Sequence, residues 1–176
     1  MGWLVYGLYV ALLAGASDPY GLHQEKKQKY VKKIIKQTEA QGEDPYEFLA
    51  IAITESSLKP RAYSHTHDTG LFQVNCRWWY KQFKYKSIKV CKTAMFNPNI
   101  NISKGIYILT SFRKKYKQCR GNLAYRCYNG GQGWYHSKNK HKIINYAKKV
   151  QQRKAMLHKH YKKLIEDIRT NLKNRS

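Results

Sequence analysis

Four stretches of this 176-residue chain carry apolar or weakly polar side chains at the three- and four-residue spacing of an amphipathic α-helix. The stripes are Tyr30, Val31, Ile34, Ile35 and Thr38; Phe48, Ile51, Ala52 and Leu58; Ile102, Ile106, Leu109, Phe112 and Tyr116; and Val150, Leu157, Tyr161, Leu164, Ile168 and Leu172. A strand pattern occurs only near residues 61–75, which end in Leu71-Phe72-Gln73-Val74. The sequence therefore predicts a mainly α (α+β) fold with at most a small β-hairpin or sheet.

The second and third helices have recognisable start signals. Asp44 precedes Pro45 and is followed by Glu47, so an N-cap, a proline at the first helical position and a capping-box partner coincide. Asn99 or Asn101 can cap the third helix.

Net charge restricts the class of partner. Lys and Arg outnumber Asp and Glu by 34 to 10, which gives a formal charge of +24 spread from Lys26 to Arg175. A positive field attracts nucleic acid, an anionic membrane surface or an anionic cell-wall polymer, and charge alone does not choose among them. We expect the core domain to span residues 17–150 and residues 151–176 to form a basic helical extension that adheres to an anionic surface. The alternative is that the apolar stripe of this segment packs back onto the core.

The N-terminus resembles an export signal. Residues 3–14 are uncharged and mostly apolar, and Ala14-Gly15-Ala16 follows as a small-x-small pattern. No Lys or Arg precedes the apolar run, which is shorter than the ~20 residues that span a bilayer. We expect residues 1–16 to be a signal peptide or short apolar leader, with an uncleaved anchor or a buried N-terminal segment as the alternatives.

The four cysteines permit two disulfides in an exported chain, with three possible connectivities. The simplest joins neighbours in sequence, Cys76 with Cys91 and Cys119 with Cys127. The histidine pairs His65/His67 and His158/His160 lack partners at a zinc-ligand spacing, so no metal or other cofactor is expected.

Glu55 is the leading candidate for chemistry. It lies at helical spacing from Phe48, Ile51 and Leu58, and therefore projects from the apolar side of the second helix. Poor solvation raises the pKa of a carboxyl group, so that it can act as a general acid near neutral pH. The alternative is an ordinary helix-face carboxylate paired with a lysine.

Four motif blocks, in this order, resemble the lytic transglycosylase family of the lysozyme superfamily. The blocks are Glu55-Ser56; Gly70-Leu71-Phe72-Gln73; Pro98, Asn101-Ile102 and Gly105; and Tyr128-Asn129-Gly130-Gly131, followed by a closing Tyr146-Ala147-Lys148-Lys149-Val150. Phe72 replaces a family Met and Gly130 a family Ala, which affects the shape of the groove more than the acid. Together the blocks cover about residues 44–150.

The resemblance implies a lysozyme-like fold with a groove for alternating N-acetylglucosamine and N-acetylmuramic acid. Glu55 would be the catalytic acid and base of a reaction that leaves a 1,6-anhydromuramoyl end without consuming water. Candidate substrate-binding residues are Ser56, Gln73, Asn75, Tyr128, Asn129 and Tyr146. Trp78, Trp79 and Trp134 are either sugar platforms or core residues.

Other functions remain open at this point. Asp68, which is also typical of a turn, would supply the second carboxylate of a lysozyme-type muramidase, the hydrolytic alternative. A basic nucleic-acid-binding module explains the charge but none of the motif blocks, and a binding protein that keeps only the fold would not need Glu55. The resemblance favours peptidoglycan glycan strands as the partner. We expect a monomer that is exported to the periplasm or cell envelope, with a virion-associated protein as the alternative.

Overall fold

The computed structural model describes residues 18–174, and the predicted leader at 1–16 lies outside them. The helices are α1 (Glu25–Glu39), α2 (Pro45–Ser56), α3 (Cys76–Trp79), α4 (Ile88–Met95), α5 (Pro98–Lys115), α6 (Ala124–Gly130) and α7 (Lys140–Lys173). Short 3-10 turns occupy Lys117–Cys119, Gly121–Leu123 and Trp134–His136. Strands β1 (Asp68–Thr69) and β2 (Val74–Asn75) pair antiparallel, with Asp68 opposite Asn75. The predicted mainly α fold with a small hairpin is confirmed.

Helix α2 lies at the centre of the hydrophobic core. Its residues from Pro45 to Ile53 are all buried, because α1 packs on one side and α7 on another. The predicted cap is present, since the Asp44 carboxylate accepts a hydrogen bond from the backbone N–H of Tyr46 at 2.9 Å. A helix that is apolar on every side requires such a buried position.

The capping-box role predicted for Glu47 is wrong. Its carboxylate accepts hydrogen bonds from the Arg113 guanidinium and, at 2.6 Å, from the Tyr125 hydroxyl. Glu47 is nearly fully buried, so its charge needs strong partners more than the N-terminus of α2 needs a second cap. These bonds tie α2 to α5 and α6.

Helix α5 begins one residue after Asn97, and not after Asn99 or Asn101 as predicted. The Asn97 side chain accepts from the backbone N–H groups of Asn99 and Ile100, and Pro98 takes the first helical position. Proline has no N–H to satisfy there, which fixes the start of the helix. Asn101 lies inside α5 and is fully buried.

Helix α7 runs without a break across position 150, and its second half belongs to the core. Leu157, Tyr161, Ile165 and Ile168 are buried in the same cluster as the residues of α2. This differs from the expectation that residues 151–176 extend away from the domain. The apolar stripe was correctly identified, but it faces the protein.

Polar contacts reinforce the packing of α7. Lys154 pairs with Asp44 at 2.6 Å, and the His158 ring stacks on Tyr46 with centroids 3.8 Å apart. Near the C-terminal end of α7, Arg169 pairs with Glu39, the last residue of α1. The Tyr161 hydroxyl donates a hydrogen bond to Asp18 at 2.5 Å. The second half of α7 therefore contacts the segment before α1, the end of α1 and the start of α2.

Two disulfides join neighbouring cysteines, Cys76 with Cys91 and Cys119 with Cys127, as the simplest pairing predicts. The first links α3 to α4, and the second links the turn after α5 to α6. Within residues 18–174, no helix is long and apolar enough to cross a membrane.

Candidate active site

A groove of about 740 Å³ opens between the hairpin, α5 and α6. The end of α2 contributes Glu55, and the hairpin contributes Asp68, Gln73, Val74 and Asn75. The opposite wall carries the side chains of α5 and α6 together with the glycine loop at 130–133. The remaining lining residues are Thr66, Trp78, Trp79, Gln82, Ile108, Ser111, Phe112, Lys115, Tyr116, Cys127, Tyr128, Asn129 and Gln132.

Glu55 occupies the last turn of α2, where the chain reverses direction. Ser57 and Leu58 both adopt left-handed backbone conformations, with φ of 52° and 62°, and end the helix. Glu55 is partly buried, at the boundary between the core helix and the groove. The helix thus presents one carboxyl group to a cavity large enough for a sugar chain.

The pKa of Glu55 is raised to about 8, mainly by burial and also by the negative charge of Asp68. The Tyr146 hydroxyl donates a 2.6 Å hydrogen bond to Glu55 Oε1, which lowers the pKa because it favours the ionised form. Burial prevails, so Glu55 carries a proton at neutral pH. A protonated carboxyl group in a groove is suited to general acid catalysis.

Asp68 is the second carboxylate of the groove. It accepts hydrogen bonds from the hydroxyls of Ser64 and Thr66 at 2.6 and 2.5 Å, and from the Asn75 amide at 2.6 Å. These three donors hold the Asp68 side chain in place on the hairpin. The groove therefore contains two carboxyl groups, those of Glu55 and Asp68.

Buried Asn101 fixes the turn between the two strands. Its side-chain oxygen accepts from the backbone N–H of Phe72 at 2.7 Å, and its amide donates to the backbone carbonyls of Thr69 and Met95. Gly70 has a φ of 79° and sits so close to Asn101 that a Cβ would overlap its side chain. Only glycine meets both conditions.

Three further contacts hold the same turn. The Ser56 hydroxyl donates to the Leu71 carbonyl at 2.8 Å, and the Phe72 ring packs directly on the backbone of Gly105. The Tyr128 hydroxyl donates to the Phe72 carbonyl at 2.8 Å. The motif blocks, far apart in sequence, thus meet around one turn beside Glu55.

The predicted site residues fall into two groups. Glu55, Gln73, Asn75, Tyr128 and Asn129 line the groove. Ser56 and Tyr146 are not part of the groove lining, and each makes a hydrogen bond to a feature of the site, the hairpin turn and Glu55 respectively.

The tryptophans also divide. Trp78 and Trp79 line the groove, and Trp78 is 75% exposed. Trp134 is buried in a small cluster with the Cys119–Cys127 disulfide.

Sequence reasoning missed two residues of this region. Asn101 was assigned to a motif block and to a cap, although a buried amide with three backbone partners is its actual role. Lys115 gave no signal, because it is one of three consecutive basic residues at the end of α5. Its place in the groove wall depends on the tertiary fold.

In the part of the chain that the structure describes, no group of three or more His, Cys, Asp or Glu side chains is placed to hold a metal ion.

Comparison with known proteins agrees with this geometry. Residues 32–153 match the family model described as the transglycosylase SLT domain, and this segment contains all the motif blocks and every residue of the groove. A comparison with curated proteins finds no match.

Proposed function

The chain belongs to the transglycosylase SLT domain family, whose activity is lytic cleavage of peptidoglycan, and we propose that it cuts the β-1,4 bond between N-acetylmuramic acid and N-acetylglucosamine with Glu55 as the catalytic residue. The single observation that carries the assignment of Glu55 is its place at the end of the buried helix α2, where its carboxyl group lines the groove and burial raises its pKa. In the first half of the reaction, Glu55 donates its proton to the bridging oxygen. The glycosidic bond breaks, and the N-acetylglucosamine side departs as an alcohol.

The second half restores the enzyme. Glu55 is now ionised, and it takes the proton from the 6-hydroxyl of the muramic acid. That oxygen bonds to the anomeric carbon and gives a 1,6-anhydromuramoyl end. One carboxyl group therefore gives up and regains one proton, and no water enters the products. Tyr146 supports both halves, since its hydrogen bond orients the carboxyl and stabilises the ionised form between them.

The proposal is tested on purified peptidoglycan by mass spectrometry of the released fragments. An anhydro end is lighter by one water than a reducing end, so the two outcomes are distinguished directly. We expect anhydro ends. Fragments that carry only reducing ends would contradict the transglycosylase assignment.

Glu55→Gln should reduce cleavage by more than ~100-fold, because the amide is nearly isosteric but cannot donate a proton to the leaving oxygen. Lys59→Gln, four residues away, exposed and outside the groove lining, is the control for changes near the end of α2. Circular dichroism and sedimentation of both variants with peptidoglycan check folding and binding. Near wild-type activity in folded Glu55→Gln would remove Glu55 from the mechanism.

Hydrolysis by a lysozyme-type muramidase is the second candidate, and Asp68 favours it. A second carboxyl group in the same groove is what a retaining hydrolase requires in addition to its acid. The same mass spectra decide between the two, since hydrolysis adds one water to each cut.

We propose that the groove residues bind the sugar chain through their amides. The Asn129 side chain makes no hydrogen bond within the described residues, so it can bind an N-acetyl group. The Gln73 amide donates to Ala62 and Gly70, which leaves its oxygen to accept from a sugar hydroxyl. Asn75 and Tyr128 shape the groove next to them, whereas Ser56 and Tyr146 position other groups.

Action on peptidoglycan places the enzyme at the cell envelope, and we propose that it is an exported monomer of the periplasm or envelope, or a virion component. The net charge of +24 supports adhesion to anionic wall or membrane surfaces. Family membership favours these partners over nucleic acid. We propose that it opens the wall locally, in wall turnover, secretion, conjugation or phage entry.

A further inference from the structure

The groove is poor in cations, although the chain as a whole is rich in them. Among its described lining residues, Lys115 is the only basic side chain, beside the carboxyl groups of Glu55 and Asp68. Most Lys and Arg residues of the chain lie elsewhere on the surface. A single cation at a defined place in a substrate groove can bind an anionic group of the substrate.

The three basic residues at the end of α5 have different environments. Arg113 pairs with Glu43 and Glu47. Lys114 is exposed, lies outside the groove lining and acts electrostatically on Glu43. Lys115 faces the groove, and within residues 18–174 no carboxylate pairs with it. Successive helical residues point about 100° apart, which explains why only one of the three reaches the groove.

Polar groups surround Lys115. Ser111, one turn earlier on α5, and Gln82 from the segment after α3 both line the groove. The Gln82 amide donates to the Tyr107 hydroxyl at 3.0 Å, and the charge of Lys115 acts on the same hydroxyl. The cation thus stands in a patch that can also accept and donate hydrogen bonds.

The chemistry of the substrate identifies an anion for this patch. In peptidoglycan the lactyl carboxyl of each muramic acid is amide-linked to a peptide, so the glycan itself is uncharged. The remaining carboxylates belong to the stem peptides, which hang from the same sugars that enter the groove. We propose that Lys115, with Ser111 and Gln82, binds a stem-peptide carboxylate and makes the enzyme prefer peptide-bearing glycan.

This inference rests on the proposed function and concerns the substrate that the same groove takes. The test compares native peptidoglycan with peptidoglycan whose free carboxyl groups have been converted to methylamides by a carbodiimide. Amino groups are acetylated beforehand in both samples, so that the two substrates differ in carboxylate charge alone.

Lys115→Gln should raise KM on native peptidoglycan by up to about fivefold and leave kcat unchanged, as expected for one exposed ionic contact. On the methylamide substrate, Lys115→Gln and the wild type should have equal KM. Lys114→Gln removes the same charge outside the groove and should change neither value. Lys115→Arg should retain most of the preference for native over methylamide peptidoglycan, because arginine keeps the positive charge.

An equal change of KM on both substrates, or no change on native peptidoglycan, would overturn the proposal. A Lys114→Gln effect as large as that of Lys115→Gln would also overturn it, because it would show general attraction by net charge. Sedimentation of both substrates with Glu55→Gln protein, with and without Lys115→Gln, measures the same preference as binding. If the wild type cuts neither substrate, the proposed function fails, and the binding measurement still decides on Lys115.

Discussion

Replacing Tyr146 by Phe should shift the alkaline limit of cleavage to higher pH. The Tyr146 hydroxyl donates a 2.6 Å hydrogen bond to Glu55, and this bond is the interaction that opposes the rise of the Glu55 pKa. Phenylalanine keeps the ring and removes the donor. The ionised form of Glu55 then loses stabilisation, so its pKa increases above the present value of about 8.

The size of the shift follows from the hydrogen bond. A hydrogen bond to a charged group contributes about 1.5–3 kcal/mol, and one pKa unit corresponds to about 1.4 kcal/mol. The protonated carboxyl also interacts with the hydroxyl, so the lower end applies and the pKa should rise by about one unit. Because the first step needs protonated Glu55, the rate falls as pH rises through the pKa. The cleavage rate should therefore begin to decline at a pH about one unit higher in Tyr146→Phe than in the wild type.

The assay measures kcat/KM on soluble glycan fragments across neutral and alkaline pH, with each profile scaled to its own maximum. Scaling separates a shift of the pH profile from a general loss of rate. Tyr161→Phe is the control, since its hydroxyl binds Asp18 away from the groove. A Tyr146→Phe profile that coincides with the wild type, or moves to lower pH, would refute the role assigned to this hydrogen bond.

Two changes test the packing that supports the groove. Leu157→Ala should lower the free energy of unfolding by about 2–5 kcal/mol, because Leu157 is fully buried, whereas Lys159→Ala at an exposed position should have little effect. Urea denaturation measures both variants. An unchanged free energy of unfolding for Leu157→Ala would mean that the second half of α7 does not pack on the core. Gly105→Ala should lower the melting temperature and reduce cleavage, because the new Cβ overlaps the Phe72 ring. In Gly133→Ala the new Cβ meets no atom within 4 Å, so the melting temperature should not fall. Equal melting temperatures for the two variants would contradict the close contact between Gly105 and Phe72.

Local sequence signals predicted the parts of the fold that depend on neighbours in the chain. Asp44 and Pro45 determine the start of α2 by themselves. The same rules failed for Glu47, because its partners Arg113 and Tyr125 are more than 60 residues away. Spacing along the sequence carries no information about such contacts.

The same distinction between local signals and contacts of distant residues applies to the site. Helical spacing placed Glu55 on an apolar face, and the motif blocks indicated its groove. The hydrogen bonds of Asn101 with residues of the turn at 69–72 could not be inferred, since they join segments about 30 residues apart. The packing of Leu157, Tyr161 and Ile168 on the core could not be inferred for a similar reason. The apolar stripe was evident, but its partners on α1 and α2 were not.

The two disulfides give the groove a dependence on its chemical surroundings. Cys76 follows Asn75 directly, and Cys127 immediately precedes Tyr128, so each crosslink secures a chain position next to a groove residue. Reducing compartments keep thiols unpaired. A newly made chain in such a compartment lacks both crosslinks, and we expect it to cleave peptidoglycan slowly until oxidation forms the disulfides. Disulfide formation would then restrict full activity to the oxidising compartment in which the peptidoglycan lies.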